Sequence, residues 1–170
     1  MSHIRRIMRD MQELEDRRDE LLHVAARPLE HDLTTWHVNV RVADEGHPLA
    51  GSVIHLTMKF PPDYPTSAPA INVCTNLPHP NVFRRGKHFE LCCDMLGNCG
   101  DTVSSAPYQG WSSAYSIMSI LLQLQSFLVD PDLMYAQHKV GAAEACAEAR
   151  AFVCEECGHC ERRPSPALST

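Results

Sequence analysis

The sequence has no apolar run approaching the roughly 18 residues needed to span a bilayer. It has no basic excess either: its formal net charge is -6, which argues against bulk binding to nucleic acid or to an anionic membrane surface. The opening Met1-Ser2-His3-Ile4-Arg5-Arg6 leads into charged residues rather than the apolar stretch of a secretion signal. No segment repeats, and no Ser/His/Asp or Cys/His/Asn hydrolase arrangement is evident. These absences lead us to expect a soluble protein, cytoplasmic or nuclear, with neither membrane nor nucleic acid as a partner.

What is present suffices for one domain. The chain has 170 residues, 44% of them hydrophobic, a length that fits a single core with a short appendage. Eight cysteines without a secretion signal read as reduced thiols in catalytic or metal-binding use rather than as a disulfide framework.

Periodicity sets the elements. Ile4, Ile7, Met8, Met11 and Leu14 recur at helical spacing and predict an amphipathic helix over residues 3 to 22, with Arg5, Arg6 and Arg9 off its apolar face. Trp36, Val38, Val40 and Val42 alternate with His37, Asn39 and Arg41, the pattern of a half-buried strand. Ile54, Leu56, Met58 and Phe60 alternate in the same way with His55, Thr57 and Lys59. A shorter strand fits Ala70 to Cys74, and a weakly signalled one precedes Trp36 at residues 23 to 29. Residues 75 to 111 show no period, and a loop that long usually carries function. Ile117, Ile120, Leu121, Leu124 and Leu128 stripe a helix from Ser113 to Val129, capped by Ser112 or Ser113 and ended by Asp130-Pro131. A last helix is expected from Tyr135 to Phe152, followed by a loose tail after Cys160. The expected fold is α+β: an N-terminal helix, a four-stranded antiparallel meander, a long active-site loop and C-terminal helices.

Four segments, in order, resemble the ubiquitin-conjugating enzyme family. They are Phe60-Pro61-Pro62-Asp63-Tyr64-Pro65 with Ala68-Pro69-Ala70-Ile71; His79-Pro80-Asn81; Leu91-Cys92-Cys93-Asp94-Met95-Leu96; and Trp111-Ser112-Ser113-Ala114 running into Leu121 to Leu128 and Asp130-Pro131. The resemblance covers residues 3 to 150. It implies a domain at residues 1–150 followed by a Cys-rich extension at 151–170. It also implies a transferase that carries ubiquitin or a ubiquitin-like modifier as a thioester on Cys92 and passes it to a substrate lysine or a ligase cysteine. The alternative is a scaffold of the same fold that binds without transferring.

Thioester chemistry needs a nucleophile that is also a good leaving group, and a thiolate is both. The resemblance makes Cys92 the acceptor and places Cys93 at an apolar, packed position. It gives Asn81 two open roles, donor to the oxyanion formed as an amine attacks or holder of the loop, with His79, Pro80 and Asp94 shaping that loop. Arg5, Arg6 and Arg9 become an activating-enzyme contact, beside the plain reading of a solvated helix face. Ligase contact falls to Pro65, Thr66, Ser113 and Ala114. Family members that pair with RING-type ligases carry an apolar residue where Thr66 stands and Ser-Pro-Ala where Ser112-Ser113-Ala114 stands, so the usual ligase pairing is in question. No acid clearly matches the one that faces the incoming lysine; Asp101 or Asp132 is available. The segment Gly97 to Gly110 is an insert relative to typical members, either a cover or contact surface beside Cys92 or a tolerated surface loop.

No organic cofactor or catalytic metal is implied. The run Cys154-Glu155-Glu156-Cys157-Gly158-His159-Cys160 has the spacing of half a structural zinc site. Cys154, Cys157, His159 and Cys160 are the candidate ligands, with Cys146 nearby; the alternative is an exposed cysteine-rich tail or the stub of a zinc knuckle.

Overall fold

The computed structural model describes residues 3–97, 110–130 and 141–168. Helix α1 spans His3–Asp16, and a short 3-10 turn covers Arg18–Glu20. Six strands follow: β1 Val24–Leu29, β2 Asp32–Arg41, β3 Val53–Lys59, β4 Ala70–Val73, β5 Val82–Arg85 and β6 His88–Leu91. A 3-10 turn at Asp94–Leu96 ends the strand region, and the helices α2, Ile117–Leu128, and α3, Ala142–Ala151, complete the described elements. The strands form one antiparallel sheet in the order β1-β2-β3-β4-β6-β5. Among the described residues no helix is long and apolar enough to cross a membrane.

The α+β architecture agrees with the sequence patterns, and β1 to β4 are the expected meander. The two added strands, β5 and β6, lie in the stretch that showed no period. Arg85 pairs with His88 across a two-residue turn in which Gly86 has a φ of 61°, a conformation open to glycine without steric cost. Phe83, Arg84, Arg85 and His88 are exposed, so no buried face marks the hairpin in the sequence.

The core joins the apolar faces of α1, α2 and the sheet, with Ala142 and Ala145 of α3 at its margin. Ile7 and Leu14 of α1, Trp36, Val38 and Val40 of β2, Ile54, Leu56 and Met58 of β3, and Ile117, Ile120, Leu121, Leu124 and Leu128 of α2 form one buried cluster. Burying each large side chain contributes about 1.5–3 kcal/mol. Met8, expected on the buried stripe, is exposed. Helix α2 starts later than its sequence signal, at the Ser116 cap: the Ser116 and Ser119 side chains reciprocate in a capping box.

The largest departure is on the second face of the sheet. His37 and Asn39 in β2 and His55 in β3 are buried rather than solvent-facing, because residues 152–168 lie across them. The Asn39 side-chain amide donates to the Pro166 carbonyl at 2.7 Å, the His55 ring lies against Phe152 and stacks on His159 with centroids 4.3 Å apart, and Leu168 is buried. The tail is therefore docked, and the strands are covered on both faces.

Candidate active site

The β5–β6 hairpin sets the site. Val82 pairs with Leu91, so the residues just outside this pair, Asn81 and Cys92, face each other at the open end of the hairpin. The Cys92 backbone N–H donates to the Asn81 carbonyl at 2.8 Å. The His-Pro-Asn turn is fixed from below by His79, which is buried. Its Nδ1 accepts from the Asn81 N–H at 3.1 Å, and its Nε2–H donates to the Phe127 carbonyl in α2, also at 3.1 Å. One neutral tautomer satisfies both bonds, so His79 ties the His-Pro-Asn turn to the last turn of α2. Pro80 is exposed beside it.

The neighbouring thiols differ. Cys92 is partly exposed, whereas Cys93 is 5% exposed. Burial pushes the Cys93 thiol above its ordinary range, which lowers its thiolate fraction and its reactivity. Asp94 is exposed and opens the 3-10 turn that places Leu96 in the core. The insert's two ends come together, since a Cβ on Gly97 would lie 3.7 Å from the Trp111 backbone nitrogen. Its middle, with Asp101, and the candidate acid Asp132 lie outside the described residues.

A second cluster joins α1 to the loops around Tyr64 and Trp111. The Arg6 guanidinium binds Asp10 at 2.8 Å and donates to the carbonyls of Ser113 at 2.8 Å and Tyr115 at 2.6 Å. The Tyr64 hydroxyl donates to the other Asp10 oxygen at 2.8 Å; burial and the Asp10 carboxylate hold its pKa well above the usual phenol range. The Trp111 indole N–H donates to the Pro65 carbonyl at 2.8 Å. This corrects the basic patch: Arg6 is 8% exposed and satisfied internally, leaving Arg5 and Arg9 exposed. Thr66, Ser113 and Ala114 are exposed and Pro65 is half-buried, all on the loops this network holds together.

The C-terminal cysteines are gathered differently from their spacing. Cys154 and Cys157 meet His37 and His55, with one ligand atom from each of the four lying within 4.8 Å of every other. His159 instead stacks on His55 and lies 3.4 Å from the Ser165 N–H through Nδ1, while Cys160 pairs with Arg163 in an isolated bridge. Burial pushes His55 down to about 3 and lowers His37 and His159. Cys146 lies apart, against Ser52 and Pro48. The two strand histidines escaped sequence reading because each sits at a position that alternation assigns to solvent.

The sequence and the fold have counterparts among known proteins. The family model described as ubiquitin-conjugating enzyme matches residues 6–156. The chain is 31% identical to the ubiquitin-conjugating enzyme E2 2 of Debaryomyces hansenii over 76% of its own length and 67% of that protein. It is 30% identical to the ubiquitin-conjugating enzyme E2 2 of Trichoderma harzianum over 75% of its length and 74% of that protein. It is 32% identical to the 34 kDa ubiquitin-conjugating enzyme of Saccharomyces cerevisiae over 60% of its length, but spans only 34% of that longer protein. The structure of human ubiquitin-conjugating enzyme E2 G1 superimposes with a TM-score of 0.59 at 25% identity, covering 74% of this chain and 93% of that one. With the family model spanning most of its length and two relatives sharing three residues in ten, the chain belongs to the ubiquitin-conjugating enzyme family.

Proposed function

We propose that this protein carries ubiquitin or a ubiquitin-like modifier as a thioester on Cys92 and transfers it to an amine or to a ligase cysteine. The observation that carries the reading is the placement of a partly exposed Cys92 against the His-Pro-Asn turn, on a chain of this family. In the first step the Cys92 thiolate attacks the modifier's C-terminal carbonyl, held as a thioester on the activating enzyme. The new C–S bond forms as the old one breaks, and the activating enzyme's thiolate leaves. In the second step a lysine amine attacks the same carbonyl. The C–N bond forms, the Cys92 thiolate leaves, and the amine's proton passes to an acceptor. The Asn81 amide supports the oxyanion in between.

Arg5 and Arg9, both exposed on α1, are the residues placed to steer an acidic activating-enzyme surface. The exposed loop residues Thr66, Ser113 and Ala114, with Pro65, form the surface for a ligase. Thr66 offers a hydroxyl where the usual ligase partner expects an apolar side chain, so the matching ligase surface is more polar at that point.

Incubation with activating enzyme, ATP and ubiquitin tests the reading on a non-reducing gel. A thiol-sensitive adduct forms with the wild type and with Cys93→Ala and disappears with Cys92→Ala. An adduct that survives Cys92→Ala and is lost in Cys93→Ala would move the acceptor to the neighbour. No adduct in the wild type with this modifier or its relatives would leave a scaffold.

A further inference from the structure

We propose that His37 Nδ1, His55 Nε2, Cys154 Sγ and Cys157 Sγ bind one structural zinc ion that clamps the C-terminal segment to the second face of the sheet. The distances suit the ion. Tetrahedral zinc with Zn–S near 2.3 Å and Zn–N near 2.0–2.1 Å has ligand-to-ligand edges of roughly 3.3–3.8 Å. Here Cys154 Sγ lies 3.7 Å from His37 Nδ1, Cys157 Sγ lies 3.6 Å from His55 Nε2, and the two ring nitrogens are 3.0 Å apart, each within a few tenths of an ångström of such an edge.

The hydrogen-bond network points the His55 ring lone pair inward. The Pro166 carbonyl can only accept, so the Asn39 NH2 must face it and Asn39 Oδ1 must face His55 Nδ1, 2.7 Å away. His55 therefore carries its hydrogen on Nδ1 and presents a bare Nε2 to the cluster. With nothing between the rings, His37 would donate from Nδ1 to that lone pair and would turn a bare Nε2 toward the carboxylate of Glu156, 3.3 Å away. His37 Nε2 is buried, so a bare nitrogen there would set its lone pair against that carboxylate with no other partner among the described residues. A cation among the four atoms resolves the conflict. Both lone pairs go to the ion, and the His37 Nε2–H faces Glu156, the carboxylate–histidine–metal arrangement common around zinc.

Sequence and charge fit the same ion. The turn that brings the two sulfurs together is closed by the Gly158 N–H on the Cys154 carbonyl at 2.9 Å, with Gly158 at a φ of 74°, where a side chain would be strained. Two thiolates and one Zn2+ sum to zero, so the loaded site has no net charge to bury. Loading releases the two thiol protons to solvent. Four protein ligands fill a tetrahedron and leave no open position, which makes the site structural rather than catalytic, and its two soft thiolates with two imidazoles select zinc over harder cations. The strand histidines thus supply the second half that the Cys-x-x-Cys run lacks.

The full chain, expressed with zinc supplied and purified without chelator, is analysed for metal by mass spectrometry. The wild type, Cys160→Ser and His159→Asn hold one zinc per chain; Cys154→Ser, Cys157→Ser, His37→Asn and His55→Asn lose it. Retention in the two strand-histidine variants with loss in Cys160→Ser or His159→Asn would overturn the proposal in favour of a ligand set confined to the tail. Should the ligand variants fail to fold, cobalt substitution of the wild type decides. Intense visible bands together with a thiolate-to-cobalt charge-transfer band mark a tetrahedral site of mixed sulfur and nitrogen. Their absence, or a wild type that is metal-free with Cys154 and Cys157 joined in a disulfide, overturns it.

Discussion

Asn81→Ala is expected to slow discharge of the loaded protein to free lysine by about 10²–10³-fold, with loading from the activating enzyme at the wild-type rate. The magnitude is that of losing one preorganised donor to a developing oxyanion, about 3–4 kcal/mol. The structure makes the test clean. The turn is held by Asn81 backbone groups, its N–H on His79 Nδ1 and its carbonyl under the Cys92 N–H, and alanine keeps both. Loss of discharge with an unchanged unfolding midpoint therefore reports the side-chain amide as a participant in transfer. Unchanged discharge rates in single-turnover assays would reduce Asn81 to a loop holder.

The second large effect is on stability. Arg6→Ala removes the guanidinium from a buried pair: Asp10, 1% exposed, loses its ion-pair partner and keeps the Tyr64 hydroxyl, while the Ser113 and Tyr115 carbonyls lose their Arg6 donor. Breaking a buried pair from one side costs about 3–5 kcal/mol, and urea denaturation of Arg6→Ala should show a loss of that size. Arg5→Ala, at an exposed position on the same turn, should change stability by less than about 0.5 kcal/mol. A double replacement, Arg6→Met with Asp10→Leu, should recover only part of the loss: no charge is stranded, but the Tyr64 hydroxyl and the Ser113 and Tyr115 carbonyls lose their partners. Equal, small effects for Arg6→Ala and Arg5→Ala would contradict the network that joins α1 to the loops at Tyr64 and Trp111.

These two sites show where the sequence was legible. The stripe of α2 and the alternation of β2 and β3 could be read directly, since burial on one face writes a period into the residues. The motif residues at Asn81 and Cys92 could be read by resemblance, but their meeting depends on β5 and β6, whose exposed side chains leave no period; the Gly86-Lys87 pair at the turn was the available signal. Arg6 looked like its neighbours Arg5 and Arg9 because charge alone does not tell a solvated face from a buried pair; the clue was Asp10 four residues on, at ion-pair spacing. His37 and His55 were hidden by the alternation rule itself, which sends polar strand positions to solvent. Only the docking of a segment about 100 residues downstream reverses that assignment, and a single sequence does not encode the docking in any local pattern.

The proposed transfer depends on the sulfur of Cys92, and Cys92→Ser examines it most directly. Loaded with activating enzyme, ATP and ubiquitin, this variant should form an oxyester that withstands thiol reductant and is cleaved by mild base, whereas the wild-type adduct is cleaved by the reductant. An adduct on Cys92→Ser that is still removed by reductant would place the thioester on another cysteine and contradict the account.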